Sequence, residues 1–108
     1  MIISAIQDKK GENICSIDLR KINDAVCNFF IICDAESTTQ VRAIAGNVEE
    51  QMLKKQTEKP WHIEGMENQE WVLLDYVDVV VHVFHRPLRS FYQLEELWSD
   101  GNLVEHNA

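Results

Sequence analysis

His82 and His85 have the spacing of a common metal-ligand pair, within the stretch His82-Val83-Phe84-His85. The valine-rich residues before them predict a β-strand, in which residues i and i+3 point to opposite faces of the sheet. The two imidazoles therefore cannot share one ion, and we expect no metal at this position. His82 is better interpreted as a hydrogen-bonded histidine at the edge of the core or of an interface.

Asp75 and Asp78 are carboxylates close together in sequence, the type of residue with which nucleotidyltransferases hold Mg²⁺. Such enzymes place two carboxylates two residues apart on one strand face, preceded by a Gly-Ser loop. Here the aspartates lie three residues apart across a turn, and the predicted loop Asp34-Ala35-Glu36 is acidic and repels a triphosphate. The sequence therefore indicates no catalytic residue and no cofactor. A nucleotide-binding or nucleotidyltransferase-like enzyme remains the alternative hypothesis.

Two other groups of potentially reactive residues favour structural roles. Ser37-Thr38-Thr39 stands at a predicted helix start, where an ordinary N-cap is much commoner than an anion site. The cysteines at positions 15, 27 and 33 lie in apolar surroundings without C-x-x-C spacing. This pattern predicts reduced, buried side chains rather than a nucleophile.

Aromatic and acidic residues coincide between positions 60 and 85, a segment without lysine or arginine. Trp71 has the side chain most enriched at interface hot spots, although core packing is an equally good interpretation. Tyr76, at a predicted turn beside Asp75 and Asp78, is expected to be exposed. Either this is a solvated acidic face, or it is complementary to a basic partner such as an RNA-binding protein. Arg89 and Tyr92, one helical turn apart, are candidates for the same surface or a dimer contact.

Length and composition limit the remaining possibilities. The 108 residues predict a single domain, residues 1–108, and the net charge of −8 argues against direct nucleic-acid binding. The apolar runs are far shorter than the roughly 20 residues that a bilayer requires. The first residues lack the basic region and cleavage site of a signal peptide. We therefore expect a non-enzymatic cytoplasmic protein with no membrane contact.

Hydrophobic periodicity predicts an α/β (α+β) domain with a mixed five-stranded sheet flanked by helices. The predicted order is α-β-β-α-β-β-β-α. The helices are expected at residues 2–10, before Gly11, at 38–55 behind a Ser37–Gln40 capping box, and from Pro87 to Gly101. The strands are expected at residues 14–19, 28–33, 60–65, 71–75 and 79–84.

The sequence E-W-V-L-L-D-Y-V-D-V-V-V-H-V-F at residues 70–84, followed by R-S-F-Y-Q-L-E-E-L-W at 89–98, resembles the ribosomal silencing factors (RsfS, or Iojap-like). The resemblance extends over nearly the whole chain. It implies a nucleotidyltransferase-like topology without the active site. It also implies a translation repressor that binds the large-ribosomal-subunit protein uL-fourteen, sterically blocks subunit association when nutrients are scarce, and commonly forms a homodimer.

By position, the resemblance places the partner-binding patch near the predicted β-hairpin. The implied residues are Trp71, Asp75, Tyr76, Asp78 and His82, with Arg89 and Tyr92 on the last helix. The chain departs from the family pattern at Val77, where a glycine is usual, in the acidic segment 34–36, and in its short first helix. Valine tolerates a positive φ poorly, so we expect the turn at Val77 to be strained or altered.

Overall fold

The two most apolar strands lie side by side in the middle of one mixed sheet. The computed structural model describes residues 2–22, 27–93, 96 and 101–106, without the side chains of residues 91 and 92. Strand β2 (Phe29–Ala35) runs parallel to β5 (Val79–His85), and both are buried over most of their length. The continuous apolar run in β2 is typical of this central position, because such a strand must be covered on both faces.

The sheet has six strands in the order β3-β4-β5-β2-β1-β6, and every pairing except β2 with β5 is antiparallel. The outer strands are β1 (Glu12–Asp18), β3 (His62–Glu64), β4 (Trp71–Asp75) and β6 (Asn102–Glu105). Strand β3 lies at one edge of the sheet, a position that Pro60 favours because proline cannot donate a hydrogen bond to a neighbouring strand. The predicted count of five strands is wrong. Strand β6 has four exposed residues and no alternating pattern, and it exists through its pairing with β1.

Helices α1 (Ile2–Asp8) and α2 (Thr38–Gln56) cover one face of the sheet. Ser37 is the N-cap of α2, and its Oγ accepts a hydrogen bond from the Gln40 backbone N–H at 3.1 Å. The return bond of the predicted capping box is absent from the described part of the chain. The Gln40 amide instead donates to the carbonyls of Lys9 and Lys10, which connects α2 to the end of α1. Gly11 was expected to end α1 as the left-handed residue, but the residue with a left-handed backbone there is Lys10, with φ of 62°.

Helix α3 (Arg86–Tyr92) carries Pro87 in its first turn, as predicted, but it is shorter than the pattern suggested. Gln93 has a left-handed backbone with φ of 47°, and its N–H bonds to the Arg89 carbonyl. A continuous helix to Gly101 is therefore wrong, because a left-handed residue ends an α-helix. The predicted apolar positions Leu94 and Trp98 lie outside the described residues.

All three cysteines are reduced and buried, as their surroundings predicted. No helix among the described ranges is both long enough and apolar enough to span a membrane.

The turn between β4 and β5 contains the clearest local conflict between residue type and backbone. Val77 has φ of 74° and is 61% exposed. The Asp75 carboxylate accepts a hydrogen bond from the Val77 N–H at 2.8 Å, which supports this conformation. A β-branched residue in the left-handed region is destabilised by contact of its Cβ with the backbone.

We expect Val77→Gly to raise the free energy of unfolding by about 1 kcal/mol, because glycine has no Cβ and adopts positive φ readily. Urea denaturation measures the change. Val104→Gly is the matched control, because Val104 is also exposed but lies in strand β6. That variant is expected to be less stable than the parent. Equal destabilisation by both substitutions would show that the turn is not strained.

Candidate partner-binding site

The sheet face opposite α1 and α2 bears accessible aromatic and acidic side chains at its β3–β4 end. Trp71, Leu73 and Asp75 alternate along β4 and are each half-buried. On one side, these residues pair in register with Phe84, His82 and Val80 of β5. On the other side, Leu73 and Asp75 pair with Glu64 and His62 of β3. We call Trp71, Leu73, Asp75, His62 and Glu64 the open face.

Trp71 is held in a defined orientation at the base of the open face. Its Nε1–H donates to His82 Nδ1 at 3.1 Å, and its indole stacks on Phe84 with ring centroids 5.0 Å apart. One side of the ring therefore packs on the core while the rest remains accessible. The two interpretations of Trp71, core packing and partner contact, are compatible.

Gly65 makes this placement of Trp71 possible, a role that the sequence analysis missed. Its φ is +89°, and a Cβ built there would lie 1.9 Å from the Trp71 carbonyl oxygen. Only glycine allows so close an approach between the two backbones. A glycine as the last residue of the predicted strand 60–65 was the available signal.

His82 supports the tryptophan from below. Its side chain is 3% exposed, in edge contact with Phe30 at 4.8 Å between centroids, and burial lowers its pKa to about 4. Because Nδ1 accepts the bond from Trp71, we assign the proton to Nε2. His85 faces a different partner, the Glu36 carbonyl, 3.0 Å from its Nε2. The two histidines are not arranged around a common point.

Acidification is expected to destabilise the protein through His82. The unfolded chain protonates this residue near its ordinary pKa of 6.5, whereas the folded protein keeps it neutral down to about pH 4. The unfolded state therefore binds more protons in this interval, and the free energy of unfolding falls by about 3 kcal/mol as the pH is lowered from 7 to 4.

Denaturation at several pH values tests this prediction by comparing the parent with His82→Gln. Glutamine can accept the Trp71 hydrogen bond but does not titrate, so the variant should lose that part of the pH dependence. His62→Gln is the control, because His62 is an exposed histidine of the same sheet, on β3. Parallel pH profiles for the parent and His82→Gln would contradict the assignment.

Tyr76 does not lie on the open face, and the expectation that it is exposed is wrong. Its side chain is 8% exposed and packs in the core beneath α2. Burial, together with the charges of Glu49 and Glu58, raises its pKa to about 12. The alternation along β4 continues through the turn, so Tyr76 follows Leu74 to the helix side while Val77 takes the exposed position.

The two aspartates of the hairpin do different things. Asp75 is half-buried on the open face and accepts the turn hydrogen bond from Val77. The Asp78 side chain is exposed, while its carbonyl accepts bonds from the backbone N–H groups of Asn28 and Phe29. Asp78 therefore connects the turn to the start of β2, and its carboxylate remains available at the surface.

Arg89 is engaged inside the protein. One of its guanidinium nitrogens lies 3.2 Å from Asp34 Oδ2 and also donates to the Asn13 carbonyl. Arg86 Nε donates to the other oxygen of Asp34 at 3.0 Å, and the Asn13 amide donates to both. The backbone of Tyr92 ends α3, but its side chain lies outside the described residues. Arg89, one of the two residues predicted as partner contacts on the last helix, is therefore paired inside the protein.

The same cluster changes the interpretation of segment 34–36. Asp34 and Ala35 belong to β2 rather than to a loop, and the Asp34 side chain is 3% exposed. Its two arginine partners compensate its charge, so repulsion by a free acidic loop does not describe the site. The space beside the start of α2 is occupied by an internal ion-pair cluster (Asp34, Arg86, Arg89 and Asn13).

Trp61 extends the accessible aromatic surface at the sheet edge, and the sequence analysis did not select it. Its side chain is 78% exposed, its backbone N–H donates to the Asp75 carbonyl at 2.7 Å, and its ring centroid lies 6.4 Å from that of His62. A large aromatic residue after Pro60 at an edge strand was a usable signal, since an edge leaves few neighbours to cover it.

Comparison with known proteins identifies the family of this chain. The family model described as "Ribosomal silencing factor during starvation" (RsfS) matches residues 1–108. The chain belongs to this family. The ribosomal silencing factor RsfS of Bacillus subtilis is 41% identical over 104 residues, covering 94% of this chain and 85% of the relative. That of Halalkalibacterium halodurans is 39% identical over 105 residues, covering 97% and 88%.

A solved structure supports the fold as well as the family. The crystal structure of a protein from Chromobacterium violaceum superimposes with a TM-score of 0.84 at 37% identity, covering 91% of this chain and 80% of that one. The resemblance found in the sequence is therefore confirmed at the level of the family. RsfS membership gives the chain a role in translation regulation with the ribosome as its partner.

Proposed function

We propose that this RsfS protein binds uL-fourteen on the large ribosomal subunit through the open face. The bound domain then sterically blocks joining of the small subunit and represses translation under nutrient limitation. The protein acts in the cytoplasm and needs no cofactor, because occlusion requires bulk at the subunit interface rather than a reaction. Trp71 is the central contact, with Asp75 and Asp78 as acidic contacts and His82 as the support of Trp71.

The proposal rests on one observation: an accessible tryptophan with a fixed orientation lies in a segment rich in carboxylates and without lysine or arginine. Residues 60–85 contain five carboxylates and no lysine or arginine, and the whole chain has a net charge of −8. Proteins that bind ribosomal RNA are basic, so such a surface attracts them and repels RNA itself. Half-buried aromatic residues surrounded by polar groups are the usual centres of protein interfaces.

Co-sedimentation with isolated large subunits tests binding, and light scattering after addition of small subunits tests the block. We expect the protein to pellet with large subunits and to reduce formation of whole ribosomes in proportion to its occupancy. Both effects should weaken as salt is raised, because the attraction is electrostatic. Binding to large subunits without any effect on joining would disprove the steric block, and failure to pellet would disprove the partner.

Charge reversal at the open face separates a specific surface from general acidity. Glu64→Lys places a positive charge beside Leu73, its register partner on β4. Glu67→Lys makes the same change in net charge in the exposed segment between β3 and β4. The first variant should lose more affinity than the second, whereas equal losses would mean that only net charge matters.

A further inference from the structure

A cavity of about 630 Å³ lies on the helix side of the sheet, away from the open face. It is bounded by the start of α1, the end of α2 and the β4–β5 turn. Its apolar lining includes Ile2, Ile31, Met52 and Val79. The volume falls within the range of roughly 300–1,000 Å³ that is typical of small-molecule sites.

Tyr76 gives this cavity a polar anchor. It lines the cavity and is 8% exposed, and its hydroxyl has no hydrogen-bond partner within residues 2–22, 27–93, 96 and 101–106. Buried hydroxyl groups in folded proteins nearly always have a partner. The oxygen itself is closed to solvent, so a ligand in the cavity would satisfy it by displacing the side chains that cover it.

The charges at the cavity favour a cation. Among the described residues that line it, Glu58 and Asp78 are acidic and Lys59 is basic, and the charge of Glu49 also reaches the Tyr76 hydroxyl. Neither Glu58 nor Asp78 has an ion-pair partner in the described part of the chain. Carboxylates that outnumber the ammonium make the potential negative, and the face of a tyrosine ring attracts cations as well.

We infer that this cavity is a binding site for a small organic ammonium compound with an apolar body. The apolar body packs against Ile31, Met52 and Val79. The ammonium group donates to the Tyr76 hydroxyl oxygen and lies near the carboxylates of Glu58 and Asp78. The cavity lies on the opposite side of the sheet from the open face and shares only Asp78 with the proposed ribosomal contacts, and the inference does not depend on the ribosomal partner.

Three probes of similar shape and different charge test the inference: 2-phenylethylammonium, neutral 2-phenylethanol and anionic 3-phenylpropionate. Titration of isotopically labelled protein, followed by NMR, locates each probe and measures its affinity. We expect saturable shifts at the cavity residues, with the ammonium compound at least about tenfold tighter than the other two. No saturation by any probe, or equal affinity for the alcohol, would overturn the inference.

Two substitutions locate the site. Tyr76→Phe removes only the unpaired hydroxyl, so it should weaken ammonium binding by about tenfold while the melting temperature of the free protein stays the same or rises. Glu58→Gln, on an exposed residue, should weaken binding of the ammonium compound and leave that of the alcohol unchanged. Glu67→Gln, outside the lining, is the control and should bind like the parent. Unchanged binding by both Tyr76→Phe and Glu58→Gln would place the probe elsewhere.

Discussion

Replacing Trp71 with alanine is expected to weaken binding to the large ribosomal subunit by about 2–4 kcal/mol, the loss typical of a hot-spot truncation. The hydrogen bond to His82 and the stacking on Phe84 hold the indole in one orientation before a partner binds. A preordered side chain loses little conformational freedom on binding. Binding of labelled protein to large subunits at fixed salt measures the change.

Two further variants distinguish lost contact from lost structure. Trp71→Phe keeps an aromatic ring against Phe84 but removes the N–H that bonds to His82. Its affinity should fall between those of the parent and Trp71→Ala. Leu53→Ala removes an exposed apolar side chain from α2 and should bind like the parent. A folded Trp71→Ala protein with unchanged affinity would move the interface away from the open face.

The second large effect concerns stability rather than binding. Asp34→Ala should lower the free energy of unfolding by about 3 kcal/mol, because it leaves Arg89, which is 15% exposed, without its buried counter-ion, whereas Arg86 keeps Glu12 and Glu36 as partners. Asp34 is 3% exposed at the end of β2, and Arg86 and Arg89 reach it from α3 while Asn13 reaches it from β1. One carboxylate therefore connects three elements that are distant in sequence.

Asp18→Ala is the matched control, because it removes an aspartate whose arginine partner is exposed. The side chain of Arg20, which pairs with Asp18 at 2.7 Å, is 61% exposed. Solvent screens such a pair, so its loss should change stability far less. Urea denaturation of both variants gives the comparison. If Asp34→Ala is no less stable than Asp18→Ala, the buried cluster does not hold α3 against the sheet.

Several features of the protein could be predicted from the sequence, because they depend on residues that are close together in the chain. Unbroken apolar character predicted β2 near the sheet centre, and a serine ahead of an amphipathic run predicted the N-cap of α2. The resemblance implied an altered or strained turn at Val77, where the family usually has glycine, and the observed φ is positive. The long stretch at residues 70–84 identified the family, since its match needs no knowledge of the fold.

Other features were decided by contacts between residues far apart in the chain. Strand β6 forms only where β1 offers a free edge, and α3 ends at a left-handed Gln93 that the apolar periodicity did not reveal. Arg89, which has the sequence context of a surface residue, is turned inward by Asp34, 55 residues earlier. The residues next to each of these positions in the chain do not reveal such distant partners.

The hairpin at residues 71–84 shows both what the sequence determines and what the tertiary structure adds. Sequence alone determined that residues 71–84 form two strands joined by a strained turn and that their charge is one-sided. Only the tertiary structure decided that Trp71 and Asp75 share the open face while Tyr76 lies beneath α2. The physical reason is that strand alternation separates neighbouring residues onto two faces, whereas the packing of distant helices determines which face is covered.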